Sequence, residues 1–347
     1  MSEPIKNPSH TMGHSFLRSI LSWQRFMNLE SDLMRLLIIT VIVFIGMSYL
    51  NPGRFLTVRN FTSMGFQFPE LGIFAMAIML SLISGGIDLS IVSIANLAAI
   101  LAALIMTSGN PEDLNINFLI VMAITVGLVT GLCCGIINGW LIGHVGITPI
   151  LATLGTLQLF MGIAFVITQG PAVSGFPSSF LVFGNGLILG IPIPMLIFLG
   201  MALVTSVLLK HSPFGLYLYM MGSSVTAAHF SGISIRKMLF RTYLITGLYS
   251  GLTGLLMIAR TNSAKADYGS SYLLQAILVA ILGGVHPSGG FGTVLGLFIA
   301  VLSLQFLSSG FNMLHLSNFV KEFTWGTFLL GIMVLNYISH QRHHNKT

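Results

Sequence analysis

The chain has 347 residues, 54% of them hydrophobic and 7% charged, with a net charge of +6 and a mean hydropathy of +0.90. A soluble domain carries about 25% charged residues, so this balance excludes an ordinary soluble protein and leaves an all-α, polytopic transmembrane helical bundle. The positive charge does not point to nucleic acid, because Lys and Arg gather at the ends of apolar runs, where they set topology.

In chain order, residues 1–32 read as a polar cytoplasmic leader with Pro4, Pro8 and mixed charges, lacking the apolar core and cleavage site of a signal peptide. A membrane crossing needs about 20 apolar residues. By that ruler ten segments are predicted, with eight to eleven the defensible range: 33–50, 61–84, 91–107, 118–142, 149–168, 192–209, 238–259, 273–285, 289–309 and 319–338. The eighth is short, a half-helix or a span that tilts with its neighbour. Residues 33–339 therefore form one transmembrane domain, and 340–347 a cytoplasmic tail whose His340, His343 and His344 read as a frayed cationic end rather than a metal site. The adjacent Cys133 and Cys134 lie inside one apolar run and read as helix packing, not a disulfide framework.

Alternation from a cytoplasmic N-terminus places Lys6, Arg18, Arg25, Arg35, Lys210, Arg236, Lys237, Arg241, Arg342 and Lys346 inside. Only Arg54, Arg59, Arg260, Lys265 and Lys321 fall outside, where Glu112 and Asp113 also land. The bias puts both termini in the cytoplasm.

Three places break the apolar rhythm: Gln67-Phe-Pro-Glu70, Ser84-Gly-Gly-Ile-Asp-Leu-Ser90 and Leu282-Gly-Gly-Val-His-Pro-Ser-Gly-Gly-Phe-Gly292. The last two share a Gly-Gly-x-(Asp/His)-x-Ser skeleton, a hint of duplication. An aspartate at a helix centre costs about 2.5–3.5 kcal/mol on insertion scales, so Asp88 must be capped, paired or wet. With Ser90 it stands where an N-cap would, ahead of the run from Ile91; contact with a solute, a coupling ion or a partner subunit is the alternative. Gln67 and Glu70, three apart, share a helix face and read as the lining of a solute path. The other reading takes Pro69 as the true helix start and Glu70 as a first-turn acid. Gln67, Glu70, Asp88, Ser90 and Asn96 are the candidate pathway residues. Arg260, Asn262, Lys265 and Asp267 read as an external charged loop, and His286 as a hydrogen-bonded turn residue.

The segment 210–241 organises the rest: Lys210, Arg236, Lys237 and Arg241 occur without one acid, between two strongly apolar runs. Its middle, 224–230, is Ala-rich between Gly222 and Gly232, and predicts a short helix held outside the bilayer as a surface for another protein. No phosphate-binding Gly-x-x-x-x-Gly-Lys-Ser/Thr loop and no metal motif occurs in the sequence. The chain thus reads as no enzyme, with no cofactor, and active transport would need a nucleotide-hydrolysing partner.

Ser84-Gly-Gly-Ile-Asp-Leu-Ser90, Ile150-Leu-Ala-Thr-Leu-Gly-Thr156, Met221-Gly…Ala-Ala-His-Phe-Ser-Gly-Ile233 and Ile281-Leu-Gly-Gly…Gly-Gly-Phe-Gly-Thr293 together resemble the permease subunits of ribose-type bacterial ABC importers, in order from residue 55 to 338. The resemblance implies an inner-membrane permease that pairs with a second permease subunit, receives a monosaccharide or small polyol from a periplasmic or extracellular solute-binding protein, and docks a cytoplasmic ATPase. It further implies that 213–233 is the coupling segment, with Gly222, Ala227, Ala228, His229, Ser231, Gly232 and Ile233 at the ATPase. Departures stand at Ser223, Ser224 and His229, where the family commonly has Gly, Asn and Arg, at Val92 for a common Gly, and at Leu273 and Gln275 for acids. They leave ribose, another pentose or hexose, a sugar alcohol and a furanose-like signal molecule as solutes. The alternative function is an ion-coupled secondary transporter using Asp88 or Glu70.

Overall fold

A computed structural model describes residues 33–108 and 115–344; the expected leader and the loop of Glu112 and Asp113 lie outside the described residues. The spans are α1 (Leu33–Leu50), α2 (Val58–Ile83), α3 (Ile91–Ser108), α4 (Ile116–Trp140, extended by a π turn over Leu141–Val145) and α5 (Pro149–Thr168). A short α6 (Ser178–Asn185) precedes α7 (Ile193–His211), then come the small helices α8 (Pro213–Ser223) and α9 (Val225–Phe230). The chain ends with α10 (Ile235–Thr261), α11 (Ser270–Leu282), α12 (Val294–Met313) and α13 (Asn318–His344). Each of the ten expected segments is helical, and eight of the described helices are long and apolar enough to cross a membrane. Apolar length alone selects helix here, since lipid cannot hydrogen-bond a backbone that fails to satisfy itself.

The strands among the described residues are two residues long: β1 (Val173–Ser174) pairs antiparallel with β4 (Ser263–Ala264), and β2 (Leu187–Ile188) with β3 (Ile191–Pro192). The eighth expected span is indeed short. At 13 residues α11 reaches about 20 Å, and the 263–269 stretch ahead of it is packed into the protein at Ala264 and Ala266. The ninth begins at Val294 rather than residue 289, because 289–293 is occupied by glycines in turn conformations.

Burial separates a core from a periphery. In α2, α3 and α10, 89%, 72% and 78% of the most apolar stretch is buried, against 28% in α5 and α7. What fixes this core is a glycine ladder that hydropathy reading passes over. Gly127, Gly131, Gly135, Gly139 and Gly143 recur every fourth residue on α4 and its π turn, facing α10. A Cβ on Gly131 or Gly135 would sit 2.5 Å from the carbonyl oxygen of Gly247 or Tyr243. Small residues at this spacing let two backbones touch, the main source of helix association where no hydrophobic force acts between helices.

Helix α2 runs unbroken from its N-cap Thr57 through Pro69 to Ile83. The reading of Pro69 as a helix start is therefore wrong: the cap lies twelve residues earlier, and Pro69 sits mid-helix, depriving the Gly65 carbonyl of its usual donor. The duplication hint also needs correcting. Gly85 and Gly284 are the equivalent left-handed residues (φ 85° and 84°), each followed by a residue whose N–H bonds back into the helix, Gly86 to Ser81 and Val285 to Ala280. That is a Schellman-type ending, and it shifts the two skeletons by one residue, so His286 matches Ile87 and not Asp88.

Candidate functional site

Both turn loops lie at the end of the bundle that carries α8 and α9. The Gly290 N–H donates to the Ile83 carbonyl at 3.0 Å, stitching the loop after α11 to the end of α2. Gly222, near the end of α8, lies against this stitch so closely that any Cβ would overlap the Ile83 oxygen and the Gly290 nitrogen. The Tyr219 hydroxyl adds a bond to the Gly292 carbonyl at 2.7 Å. The α8–α9 segment is thus wedged onto both loops at once. Its helix breaks at Ser224, whose hydroxyl caps α9 by accepting the Ala227 N–H at 3.2 Å.

The expected coupling residues divide by burial. Ala228 and Ile233 are buried and hold α9 to the bundle, whereas Ala227, His229, Ser231 and Gly232 are exposed. Phe230, absent from the sequence-based set, is 86% exposed at the tip of α9. Lys210 at the end of α7 and Arg236, Lys237 and Arg241 in the first turns of α10 are all exposed.

Just inside these loops is a buried polar cluster. Asp88 is fully buried, and its Oδ1 accepts the Ser90 N–H at 3.1 Å and the Ser90 hydroxyl at 2.6 Å. Its Oδ2 accepts the Thr246 hydroxyl of α10 at 2.7 Å, while Asn138 of α4 donates to Ser90 Oγ at 2.8 Å. The Asp88 N–H returns to Ser81 Oγ of α2 at 3.2 Å. Asp88 does close the turn into α3, as expected, but it also ties α2, α3, α4 and α10 together. Burial pushes its carboxyl above the ordinary range, against the lowering effect of the Ser90 and Thr246 bonds. Beside it the Asn138 Oδ1 and the Tyr243 hydroxyl have no protein partner. Gly86 is required here, since a Cβ would lie 2.7 Å from that hydroxyl.

A second cluster occupies the opposite half. Glu70 of α2 is 1% exposed and takes Arg260 in a two-pronged pair, Nε to Oε1 at 2.6 Å and Nη2 to Oε2 at 2.9 Å. The Tyr272 hydroxyl of α11 donates to Oε2 at 3.1 Å. Arg260 closes α10, fourteen residues beyond Thr246, so the two clusters are separated by about 21 Å along the helix axis. Asn96 belongs to this half: its amide donates to the carbonyls of Ala266 and Tyr268, both at 2.9 Å, holding the 263–269 stretch against α3.

The five expected pathway residues therefore do not form one cluster. Asp88 and Ser90 come together; Glu70 and Asn96 stand apart from them; Gln67 is half-buried and donates to Ser63 Oγ at 2.9 Å instead of joining Glu70. The expected external loop is corrected likewise. Arg260 is drawn in to Glu70, Asn262 accepts the Phe176 N–H at 2.9 Å, and only the exposed Lys265–Asp267 pair behaves as a solvated loop. His286 is the turn residue it was expected to be, its Nδ1 accepting the Ser288 N–H at 3.3 Å. Among the described residues no group of three or more His, Cys, Asp or Glu is placed to hold a metal.

Residues 60–336 match the family model described as branched-chain amino acid transport system / permease component. The chain is 32% identical over 320 residues to the autoinducer 2 import system permease protein LsrD of Yersinia pestis (strain Pestoides F), covering 90% of this chain and 92% of the relative. The same protein of Yersinia pseudotuberculosis (serotype O:3, strain YPIII) matches to the same extent. No solved structure matches. With the helical bundle and the match over most of its length, the chain belongs to the branched-chain amino acid transport system / permease component family, and is a membrane permease rather than an enzyme.

Proposed function

We propose that this chain is the permease subunit of an ABC importer for a monosaccharide, a small polyol or a related signal molecule, worked from the cytoplasm by a separate ATPase. The observation that carries the reading is the α8–α9 wedge. A small helix with an exposed Phe230 stands between α7 and α10, which together expose four cations flanking it in the chain, and its root at Gly222 bears on both glycine loops. A push on α9 is transmitted through Gly222 to the end of α2 and, one hydrogen bond further, to the loop between α11 and α12. Gly222, Ala227, His229, Ser231 and Gly232 would face or flank the ATPase, while Ala228 and Ile233 anchor the lever. The positive charge of these four side chains supports a cytoplasmic face for this end and cytoplasmic termini in a bacterial inner membrane.

The relatives' role in autoinducer 2 import supports a small non-peptide cargo, delivered by a solute-binding protein to the Glu70 end. A second permease subunit is supported by α5, which exposes Gln158 between the open Gly155 and Gly162 in an otherwise apolar face. An amide facing hydrocarbon needs a protein partner, and small residues beside it permit close approach. An ion-coupled carrier built on Asp88 or Glu70 is disfavoured, because both carboxylates are engaged by protein donors and the family match favours the importer. The test is co-expression with a candidate ABC ATPase from the same organism. The complex should co-purify and drive ATP-dependent uptake of labelled D-ribose or autoinducer 2 into vesicles; uptake by the chain alone under an ion gradient would sink the reading.

A further inference from the structure

The Glu70–Arg260 pair is hard to understand as a fold-stabilising contact alone. Burying two opposite charges costs about as much as their attraction returns, so such pairs are poor evidence of stability. Three features mark it as separable. Its partners differ in exposure, with the side chain of Glu70 at 1% and that of Arg260 at 22%, so the carboxylate is enclosed while part of the arginine side chain lies at the protein surface. Arg260 lies in the last turn of its helix, two residues before Asn262 (φ 52°), and the stretch leading to Tyr272 contains Gly269 (φ 67°), both left-handed. Glu70 directly follows Pro69, where α2 lacks a backbone hydrogen bond.

If the guanidinium leaves, Glu70 keeps only the Tyr272 hydroxyl and presents two carboxylate oxygens that each accepted one N–H. Two neighbouring O–H donors on adjacent carbons fill the same two positions. The half-buried Tyr272 ring, backed by Phe74 at 6.0 Å between centroids and tilted 44° to it, stands beside them as an apolar wall, the usual complement of a few polar groups in a small-molecule site. The carboxylate–guanidinium pair is also neutral overall, which suits an uncharged cargo.

We propose that Glu70 is a solute subsite for a vicinal diol, capped by Arg260 in this conformation and uncovered when the hydroxyls of the cargo replace the guanidinium. This rests on the importer reading and names the chemical feature of the cargo that would open the outer half of the path. Arg260 is then a competing cap and Tyr272 a positioning residue that keeps Oε2 oriented.

The test uses the full chain in membrane vesicles with Cys133 and Cys134 replaced by alanine and one cysteine introduced by Gln275→Cys, half-buried and one turn beyond Tyr272 on α11. Its rate of labelling by an impermeant maleimide is read with and without D-ribose, with 1,3-propanediol as the non-vicinal control. D-ribose should accelerate labelling several-fold and 1,3-propanediol should not. Adding Glu70→Gln should give fast labelling that D-ribose no longer changes. Arg260→Lys, which keeps the charge but loses the fork, should label fast yet still respond to D-ribose, and it serves if the Glu70 variant does not insert. Slow labelling in both variants, no response to D-ribose, or an equal response to 1,3-propanediol would overturn the assignment. Loss of ATPase co-purification would count against the importer reading without altering these labelling results, whereas unresponsive labelling in a complex that hydrolyses ATP would overturn the subsite alone.

Discussion

The bundle holds two buried carboxylates, and it treats them in opposite ways. Asp88 has no basic partner among its hydrogen bonds; hydroxyls of Ser90 and Thr246 and a backbone N–H surround it, and four helices meet there. Glu70 has a full cationic partner that is itself part-exposed. The first arrangement is a rivet, because each member is short, buried and bonded to a different helix. The second is a latch, because one member is partly exposed and the pair joins two side chains alone. The rivet lies beside the loops that carry α8, and the latch lies at the far end of α10. Movement imposed at the wedge would therefore be passed on by a stiff junction and expressed at a loose one.

The contrast can be broken most forcefully at the latch. Arg260→Met should destabilise the protein by about 3–5 kcal/mol, since it strands a buried carboxylate, while Glu70→Gln should cost less because Arg260 is the more exposed partner and the amide still accepts a hydrogen bond from it. The double replacement Glu70→Met/Arg260→Met should recover most of that stability yet abolish uptake; thermal unfolding in detergent beside a vesicle uptake assay checks both.

At the rivet, Asp88→Ala should cost about 3 kcal/mol by leaving buried donors unsatisfied, and Asp88→Asn about 1 kcal/mol, again by thermal unfolding. No double replacement should restore it, since its partners belong to several helices. A smaller effect is expected at the wedge. Gly222→Ala should cost about 1–3 kcal/mol through overpacking, and should lower ATP-driven uptake before it lowers expression. The smallest change in stability comes from Phe230→Ala, within about 0.5 kcal/mol for a surface site, yet it should weaken co-purification of the ATPase. Undiminished co-purification would remove α9 from the docking surface.

Much of the scaffold was legible from residue order. The spans stood out as apolar runs, α9 appeared where an Ala-rich stretch lies between two glycines, and Asp88 was marked as a carboxylate needing partners. The glycine ladder of α4 was equally present, as glycine at every fourth position from 127 to 143, but hydropathy treats those glycines as filler. Phe230 was hidden among lipid-facing phenylalanines, and only its 86% exposure outside the spans distinguishes it. Thr246 and Asn138 are neutral groups within long apolar runs, and no local pattern singles them out. Arg260 was misplaced in a solvated loop because its partner lies 190 residues away.

Residue order by itself determined how many apolar segments there are, which end is basic and which permease family the motifs resemble, because each depends on composition along a short stretch. The tertiary structure alone decided that Glu70 meets Arg260, that Asp88 meets Thr246, and that Gly222 bears on both loops. Those meetings depend on the rotation and axial offset of one helix against another, which for α4 and α10 are set where their glycine backbones touch. A shift of one residue in that contact would turn each side chain by about 100° and give every carboxylate a different neighbour.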